Sequence, residues 1–242
     1  FSSTSDTETI LHLVATSGAR AFVDKLIDAL SRLEGAFSLV GLSANSLIGV
    51  RDPLGIRPLV LGEFEGSLIL ASETCALDII GADFIRDIAP GEMVVITESG
   101  IESIFPFQSR RPRFCIFEYV YFARPDSNVE GRNVYDIRKK IGMELARESH
   151  VDADVIVPVP DSGVPAAIGY AQEAALPFEL GIIRNHYVGR TFIQPTDSIR
   201  HMGVKLKHNA NRMMIEGKRV VLVDDSIVRG TTSQKIVQMV RE

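Results

Sequence analysis

The sequence predicts two units of different fold class, an α+β unit followed by an α/β unit with a mainly parallel sheet. Near the start, helical periodicity gives way to short strands with tight connections. Beyond a polar stretch at residues 105–113, uniformly apolar strands alternate with helices. A length of 242 residues is enough for two ordinary domains. We therefore predict a first domain over residues 1–107 and a second over residues 108–242.

The first unit is expected to open with two amphipathic helices and to continue as a meander of strands. Apolar residues recur at three- and four-residue spacing, as at Ile10, Val14, Phe22, Leu26 and Leu30. The strands are predicted at residues 36–42, 47–50, 59–61, 67–71 and 93–97. Because parallel neighbours need long crossovers, these short connections indicate antiparallel pairing.

The second unit is expected to alternate strands and helices. Strands are predicted at residues 115–122, 155–159, 178–183 and 220–223. One helix carries a stripe formed by Val134, Ile137, Ile141 and Leu145, and further helices are predicted from about residue 164 and over residues 233–242. This alternation is typical of a buried parallel sheet.

Composition and charge exclude several classes of protein. The net charge of -5 disfavours broad affinity for nucleic acid, and no apolar run reaches the roughly 20 residues that span a bilayer. Cys75 and Cys115 are the only cysteines, which rules out a disulfide framework and predicts a cytoplasmic setting. The chain lacks a secretory signal at its start, and both of its ends look cut, so we expect a piece of a longer protein.

A candidate phosphate site lies between the last predicted strand and the last helix, where the chain reads VVLVDDSIVRGTT from Val220 to Thr232. Asp224 and Asp225 emerge at the carboxyl end of the strand, where ligands bind in open α/β sheets. The loop that follows leads into a helix N-terminus, which is an anion site. Carboxylates beside it suit a ribose diol or Mg²⁺, although a helix cap with an acidic turn would use the same residues. Because the loop has no lysine, it is not the P-loop of a nucleoside triphosphatase.

This segment, together with CIFEYVYFARPDS at residues 115–127 and YVGRTF at residues 187–192, resembles the amidophosphoribosyltransferase family. The resemblance implies part of a glutaminase domain of the N-terminal-nucleophile hydrolase type, then a type I phosphoribosyltransferase domain truncated at its C-terminus. It also implies the first reaction of purine synthesis, transfer of glutamine-derived ammonia to 5-phosphoribosyl diphosphate.

The resemblance assigns roles to residues of the second unit. Asp161, Ser162 and Gly163 would hold the pyrophosphate group, and Ser162 with Asp224 and Asp225 would position Mg²⁺. By their own chemistry, the first three residues also suit an ordinary turn. The substrate site further includes Ser226, Ile227, Val228, Arg229, Gly230, Thr231 and Thr232.

Residues 184–194 resemble the flexible loop with which the family closes its site and excludes water. Arg184 and Arg190 are assigned the catalytic role of stabilising the departing pyrophosphate. Lys205 and Lys207 either share that role or belong to a solvated basic surface.

In the glutaminase part, the resemblance implies that the nucleophilic cysteine lies upstream of Phe1 and that Asp6 binds the α-amino group of glutamine. Locally, Ser5 and Glu8 form the pattern of a capping box, and both interpretations can hold together. Residues 51–58 are interpreted as a turn between strands.

Cys115 has two interpretations, a ligand of a [4Fe–4S] cluster or a buried apolar cysteine. The histidines show no zinc-ligand spacing with the cysteines. The expected partners are glutamine, phosphoribosyl diphosphate, inhibitory purine nucleotides and further copies of the chain. The alternative function is a regulatory protein of the same fold that senses phosphoribosyl diphosphate.

Overall fold

The structure, a computed structural model, describes residues 2–185 and 208–242. The chain divides into two compact units, Phe1–Cys115 and Ile116–Glu242. The division lies just beyond residues 105–113, which have no regular secondary structure. The finer assignment of residues 1–107 and 108–242 to two functional domains stays a prediction.

The first unit combines helices with two antiparallel sheets. Its helices are α1 (Thr7–Thr16), α2 (Phe22–Ser31) and α3 (Thr74–Ile80). Its strands are β1 (Ser38–Leu42), β2 (Leu47–Arg51), β3 (Val60–Phe64), β4 (Ser67–Ala71), β5 (Asp83–Asp87), β6 (Met93–Thr97) and β7 (Gly100–Ile104). One sheet has the order β1-β2-β6-β7 and the other β4-β3-β5. Every pair in both sheets is antiparallel, which confirms the prediction.

Alternation along β6 explains how the first unit builds its layers. Met93 and Val95 pack with Leu30 of α2, whereas Val94 packs with Leu59 and Leu61 near the second sheet. Because successive side chains of a strand point to opposite faces, one strand serves both interfaces. The result is a helical layer, a sheet and a second sheet.

The second unit is an α/β structure. Its helices are α4 (Val134–Glu148), α5 (Val164–Ala174), α6 (Arg212–Ile215) and α7 (Thr231–Arg241). Its strands are β8 (Asn128–Val129), β9 (Arg132–Asn133), β10 (Val155–Pro158), β11 (Ile182–Arg184), β12 (His208–Ala210) and β13 (Val220–Val223). β10 and β13 are parallel, as predicted, while β11 and β12 are antiparallel.

The parallel strands of the second unit are covered on both faces. Ile156 of β10 packs with Tyr170 of α5, and Val157 packs in the cluster that contains Ile236 of α7. α4 and α5 meet backbone to backbone, because a Cβ atom on Gly169 would lie 1.9 Å from the carbonyl oxygen of Lys139. Burial on both faces explains why these strands are uniformly apolar.

The strand predicted at residues 115–122 is wrong. Residues Glu118–Phe122 form a single π-helical turn instead. Arg138 of α4 is buried there and donates to the carbonyl oxygens of Tyr119 at 2.6 Å and Ala123 at 2.8 Å. A buried guanidinium that donates to two nearby carbonyls favours a helical turn. This tertiary contact overrides the β-propensity of the aromatic residues.

The strand predicted at residues 178–183 is only partly correct. Phe178 makes a single parallel bridge to Ile156, and β11 begins later, at Ile182. Between them the amide of Gly181 donates to the carbonyl of Glu179 at 2.9 Å, a three-residue turn that interrupts the strand.

No helix in the described part of the chain has the length and apolar character to cross a bilayer.

Candidate functional site

The candidate site lies at the carboxyl ends of β10 and β13. Their register pairs Pro158 with Val223, so both strands end at the same level. The amide of Val159 donates to the carbonyl of Val223 at 2.8 Å and continues this pairing by one step. The loops at residues 159–163 and 224–230 therefore emerge side by side, at the sheet edge where α/β proteins bind ligands.

A third segment reaches the same edge along the other side of β10. The amide of Ile156 donates to the carbonyl of Pro177 at 2.8 Å, and the amide of Glu179 donates to the carbonyl of Ile156 at 3.0 Å. The segment then runs into β11, whose last residue is Arg184. The Arg184 guanidinium forms an ion pair with Asp161, which joins this segment to the loop after β10.

Gly163 allows the two loops to touch through their backbones. A Cβ atom at this position would lie 2.4 Å from the carbonyl oxygen of Val223 and 3.2 Å from the Cα atom of Asp224. No side chain fits this space without displacement of backbone. Gly163 also caps α5, and its own amide donates to the carbonyl of Val159 at 3.0 Å.

The loop after β13 ends at a helix N-terminus that faces solvent. Gly230 is the N-cap of α7 and has a φ of 73°, a conformation that glycine adopts without strain. Thr231 and Thr232 form the exposed first turn of α7. The first amides of a helix have no acceptor within it, and they lie at the positive end of the helix dipole. This turn can therefore bind an anion through backbone amides and threonine hydroxyl groups.

Asp224 and Asp225 form an acidic pair beside this turn. The amide of Asp225 donates to Asp224 Oδ1 at 2.9 Å, and Ser226 Oγ donates to Asp225 Oδ1 at 2.8 Å. Burial raises the pKa of Asp224, and the neighbouring charge of Asp225 raises it further, against the effect of the Asp225 amide. Oδ2 of Asp225 is buried and has no hydrogen-bond partner among the described residues.

These two carboxylates fit a divalent cation. A cation would relieve their mutual repulsion and would give the buried Asp225 Oδ2 a partner. The described residues contain no group of three or more His, Cys, Asp or Glu side chains that could hold a metal ion by themselves. Most ligands of a cation here would come from water and substrate oxygens, which is how Mg²⁺ is often held.

Only some of the other predicted site residues of the second unit lie in the part of the chain that the structure describes. Ser162 is half-buried in the loop before α5, and Arg229 is exposed in the loop before α7. Arg190, Lys205 and Lys207 lie outside the described residues. The pairing of Arg184 with Asp161 was missed from the sequence, although opposite charges at the ends of neighbouring strands were a usable signal.

In the first unit, Asp6 stands exposed at the N-cap of α1. The predicted capping box is wrong. The Glu8 carboxylate accepts from the amides of Ser2 at 2.6 Å and Ser3 at 2.8 Å rather than from Ser5. These hydrogen bonds, led by the one from Ser2, lower the pKa of Glu8 to about 2. The Asp6 carboxylate accepts a hydrogen bond from Thr7 Oγ1 at 3.4 Å, and the Asp6 carbonyl accepts from the amide of Thr9 at 3.0 Å.

The predicted turn at residues 51–58 is confirmed, and it surrounds a buried guanidinium. Asp52 accepts from the amide of Leu54 at 2.9 Å, and Gly55 has a φ of 61°. Arg51 is 1% exposed and donates to the carbonyls of Arg57, Ile88 and Gly55. Cys75 is buried, as expected, and Cys115 is half-buried.

Comparison with known proteins identifies both units. Residues 1–78 match the model of a glutamine amidotransferase domain, and residues 131–242 match that of a phosphoribosyl transferase domain. The chain is 64% identical to the amidophosphoribosyltransferase of Rhizobium etli, with 99% of the chain and 49% of the relative aligned. It is 55% identical to the chloroplastic enzyme of Glycine max, with 100% and 43% aligned.

The fold agrees with a solved relative. The glutamine phosphoribosylpyrophosphate amidotransferase of Bacillus subtilis, complexed with ADP and GMP, superposes with a TM-score of 0.93 at 48% identity. The alignment covers 100% of this chain and 53% of that one. The chain thus spans about half the length of the relatives it matches, with a glutaminase part of the N-terminal-nucleophile hydrolase type and a type I phosphoribosyltransferase part. It belongs to the amidophosphoribosyltransferase family.

Proposed function

We propose that this chain is part of an enzyme that transfers ammonia from glutamine to the anomeric carbon of 5-phosphoribosyl diphosphate. The products are 5-phosphoribosylamine, pyrophosphate and glutamate. The observation that carries the proposal is the meeting of the loops at residues 159–163 and 224–230 at one sheet edge. One loop suits a diphosphate, and the other suits a ribose 5-phosphate.

Each part of the substrate has a candidate site. The backbone amides of Ser226, Ile227, Val228, Arg229, Gly230, Thr231 and Thr232 would hold the 5′-phosphate. Asp224 and Asp225 would accept hydrogen bonds from the ribose hydroxyls. Asp161, Ser162 and Gly163 form the diphosphate loop, and Ser162 with the two aspartates would hold Mg²⁺. Bound Mg²⁺ would neutralise charge on the diphosphate.

The reaction needs positioning and charge stabilisation rather than a side-chain nucleophile. The nitrogen lone pair of ammonia forms a bond to the anomeric carbon, while the bond from that carbon to the pyrophosphate oxygen breaks. Negative charge builds up on the leaving group, where Arg184 and Arg190 would stabilise it. Water has to be excluded, since it competes with ammonia for the same carbon.

The first unit would supply part of the glutamine site. Asp6 is exposed, and its carboxylate suits the α-amino group of glutamine. The nucleophilic cysteine is proposed to lie upstream of Phe1, as the family resemblance implies. A glutamine amidotransferase match over residues 1–78 favours an ammonia-consuming enzyme over a regulatory sensor of phosphoribosyl diphosphate, which has no need of glutamine.

Further properties belong to the proposal by resemblance. Purine nucleotides would inhibit the enzyme, a proposal supported by the ADP and GMP in the complex of the Bacillus subtilis relative. Cys115 keeps both of its interpretations, [4Fe–4S] ligand or structural cysteine. Homo-oligomers and a cytoplasmic location also remain predictions.

A pyrophosphate-release assay on the full-length gene product tests this function. With Mg²⁺ and phosphoribosyl diphosphate, we expect release with either glutamine or ammonia as nitrogen donor. Alkylation of the glutaminase nucleophile should abolish the reaction with glutamine and spare the reaction with ammonia. Tight binding of phosphoribosyl diphosphate without pyrophosphate release in the presence of either donor would contradict the proposal and favour the sensor.

A further inference from the structure

The ion pair between Arg184 and Asp161 has a consequence for how the leaving group is bound. The two side chains are 37% and 57% exposed, so solvent and ligands can reach both. Their backbones are fixed by separate elements. Arg184 pairs with His208 in the β11–β12 ladder, and the carbonyl of Asp161 accepts from the amide of Val164 at the start of α5.

The guanidinium of Arg184 is not satisfied by this pair alone. Its Nη1 atom binds Asp161, while its Nε atom is buried and has no acceptor among the described residues. A guanidinium offers five donors in a planar fork, a geometry that suits bidentate binding of phosphate. The unsatisfied donor indicates that a second acceptor belongs beside Arg184.

Asp161 itself is poorly suited to contact a diphosphate. It carries the same sign of charge as the ligand, and Asp224 and Asp225 already add two carboxylates to this sheet edge. A negatively charged ligand that enters the loop meets Asp161 at the position where its own oxygen atoms would reach Arg184. One of the two anions has to yield the guanidinium.

We propose that Asp161 is a positioning residue that holds Arg184 as a stand-in for the diphosphate, and that Arg184 exchanges this carboxylate for diphosphate oxygens when the substrate binds. The inference rests on the proposed function, and it replaces direct substrate binding as the role of Asp161. Only side-chain rotation is required, because both backbones are already fixed. No covalent bond changes in the exchange.

Inorganic pyrophosphate, titrated calorimetrically into the full-length gene product with Mg²⁺, probes the exchange. Asp161→Asn removes the competing charge, so pyrophosphate should bind about two- to fivefold more tightly, the range of a partly exposed ion pair. Arg184→Gln should weaken binding. In the Arg184→Gln background, Asp161→Asn should have no further effect, because no guanidinium remains to be released.

The matched control is Asp126→Asn, which breaks the exposed Arg124–Asp126 ion pair of the same unit and should leave pyrophosphate binding unchanged. Asp161→Ser serves as a second charge-removing variant if the Asn variant does not fold. In the Asp161 variants the KM for phosphoribosyl diphosphate should fall, whereas a purely structural role would not lower it.

Weaker or unchanged pyrophosphate binding in the folded Asp161 variants would overturn the exchange, and weaker binding would favour a direct or metal-mediated contact. Equal tightening with and without Arg184 would also overturn it, since Asp161 would then act only as a repulsive charge. A wild-type protein that neither binds pyrophosphate nor consumes phosphoribosyl diphosphate would refute the proposed function itself.

Discussion

Asp224 lies half-buried at the end of β13, where we propose that its charge serves ligand binding at the expense of stability. Its pKa is raised in the folded protein, so the folded state binds the proton more tightly than the unfolded state. The resulting stabilisation is present below the unfolded pKa and is lost as pH rises through the folded pKa. At neutral pH the ionised carboxylate therefore destabilises the fold.

The first prediction follows from this sign. Asp224→Asn should raise the free energy of unfolding at pH 7, by no more than about 1 kcal/mol after allowance for solvent screening. The gain should shrink at pH 4. Urea denaturation at both pH values measures it, with the exposed Asp83→Asn as control. A variant less stable than wild type at pH 7 would contradict the assignment.

The second prediction concerns catalysis by the acidic pair. Asp225→Asn keeps the side-chain size but removes the charge of a carboxylate whose buried Oδ2 atom has no hydrogen-bond partner among residues 2–185 and 208–242. We expect turnover of phosphoribosyl diphosphate to fall on the order of 100-fold, with the fold preserved. Asp224→Asn should behave alike. Near-normal turnover in both variants at saturating Mg²⁺ would remove the basis for the site.

The third prediction tests the contact between the loops. Gly163→Ala forces a Cβ atom to within 2.4 Å of the Val223 carbonyl oxygen, so backbone has to move. We expect a loss of about 1–3 kcal/mol in stability and weaker substrate binding. Gly18→Ala is the control, because no atom of the described residues, apart from its own chain neighbours, lies within 4 Å of the new Cβ. Equal effects of the two substitutions on stability would show that the close approach is unimportant.

At the residue level, the sequence predicted Asp224 and Asp225 because strong patterns surround them, a β-branched strand before and a hydroxyl-rich loop after. It could not show that Gly163 touches Val223, since a distance across the sheet has no local signature. The false capping box has a similar cause. A capping box would have used the amide of Ser5. The path of the chain before α1 instead brings the amides of Ser2 and Ser3 to the Glu8 carboxylate.

At the scale of the element, β10 and β13 are joined at their starts by Arg219, opposite the site. Its guanidinium binds Asp154 through Nη2 at 2.8 Å and also pairs with Asp152. The Arg219 side chain first, and then its amide, lower the pKa of Asp154 to about 2. The carbonyl of Arg219 accepts from the amide of Asp154 at 2.8 Å, so the contact fixes the register in which the two strands reach the site.

The fourth prediction is a pH dependence of this contact. Because the folded pKa of Asp154 is lowered from 3.8 to about 2, its stabilisation is present above about pH 3.8 and is lost as pH falls toward 2. Arg219→Met should reduce the decline of stability between pH 4 and 3, as followed by urea denaturation. Arg241→Met, at the exposed end of α7, is the control. An unchanged pH profile in Arg219→Met would show that the contact between Arg219 and Asp154 does not stabilise the fold.

Elements were predictable from sequence where their patterns were self-contained. α2 and the parallel strands were found because their apolar residues pack in buried clusters. α4 was found from its apolar spacing, although Ile141 and Leu145 of that stripe are each 41% exposed and its buried face runs through Arg138, Gly142 and Ala146 instead. α3 was not predicted, since seven residues give too short a helical period. β5 was not predicted, since it begins and ends with aspartate, which is depleted in strands. The turn at Glu118–Phe122 was mistaken for a strand, because Arg138, which stabilises it, comes from another element.

At the scale of the molecule, the sequence predicted two fold classes in the right order, and both domain matches agree. Antiparallel and parallel pairing followed from connection length, which is a property of the chain itself. The boundary between residues 107 and 108 stays a prediction, because residues 105–113 lack the periodicity that marks an element. The candidate site depends on contacts within the second unit, so experiments should address that unit first.

The most direct measurement is a crystal structure of the full-length gene product with a nucleoside 5′-monophosphate and Mg²⁺. We expect the 5′-phosphate against the backbone amides of residues 226–232, with the ribose hydroxyls at Asp224 and Asp225. A nucleotide phosphate bound only elsewhere, with the loop after β13 empty and the two carboxylates free of ribose and metal, would contradict the central claim.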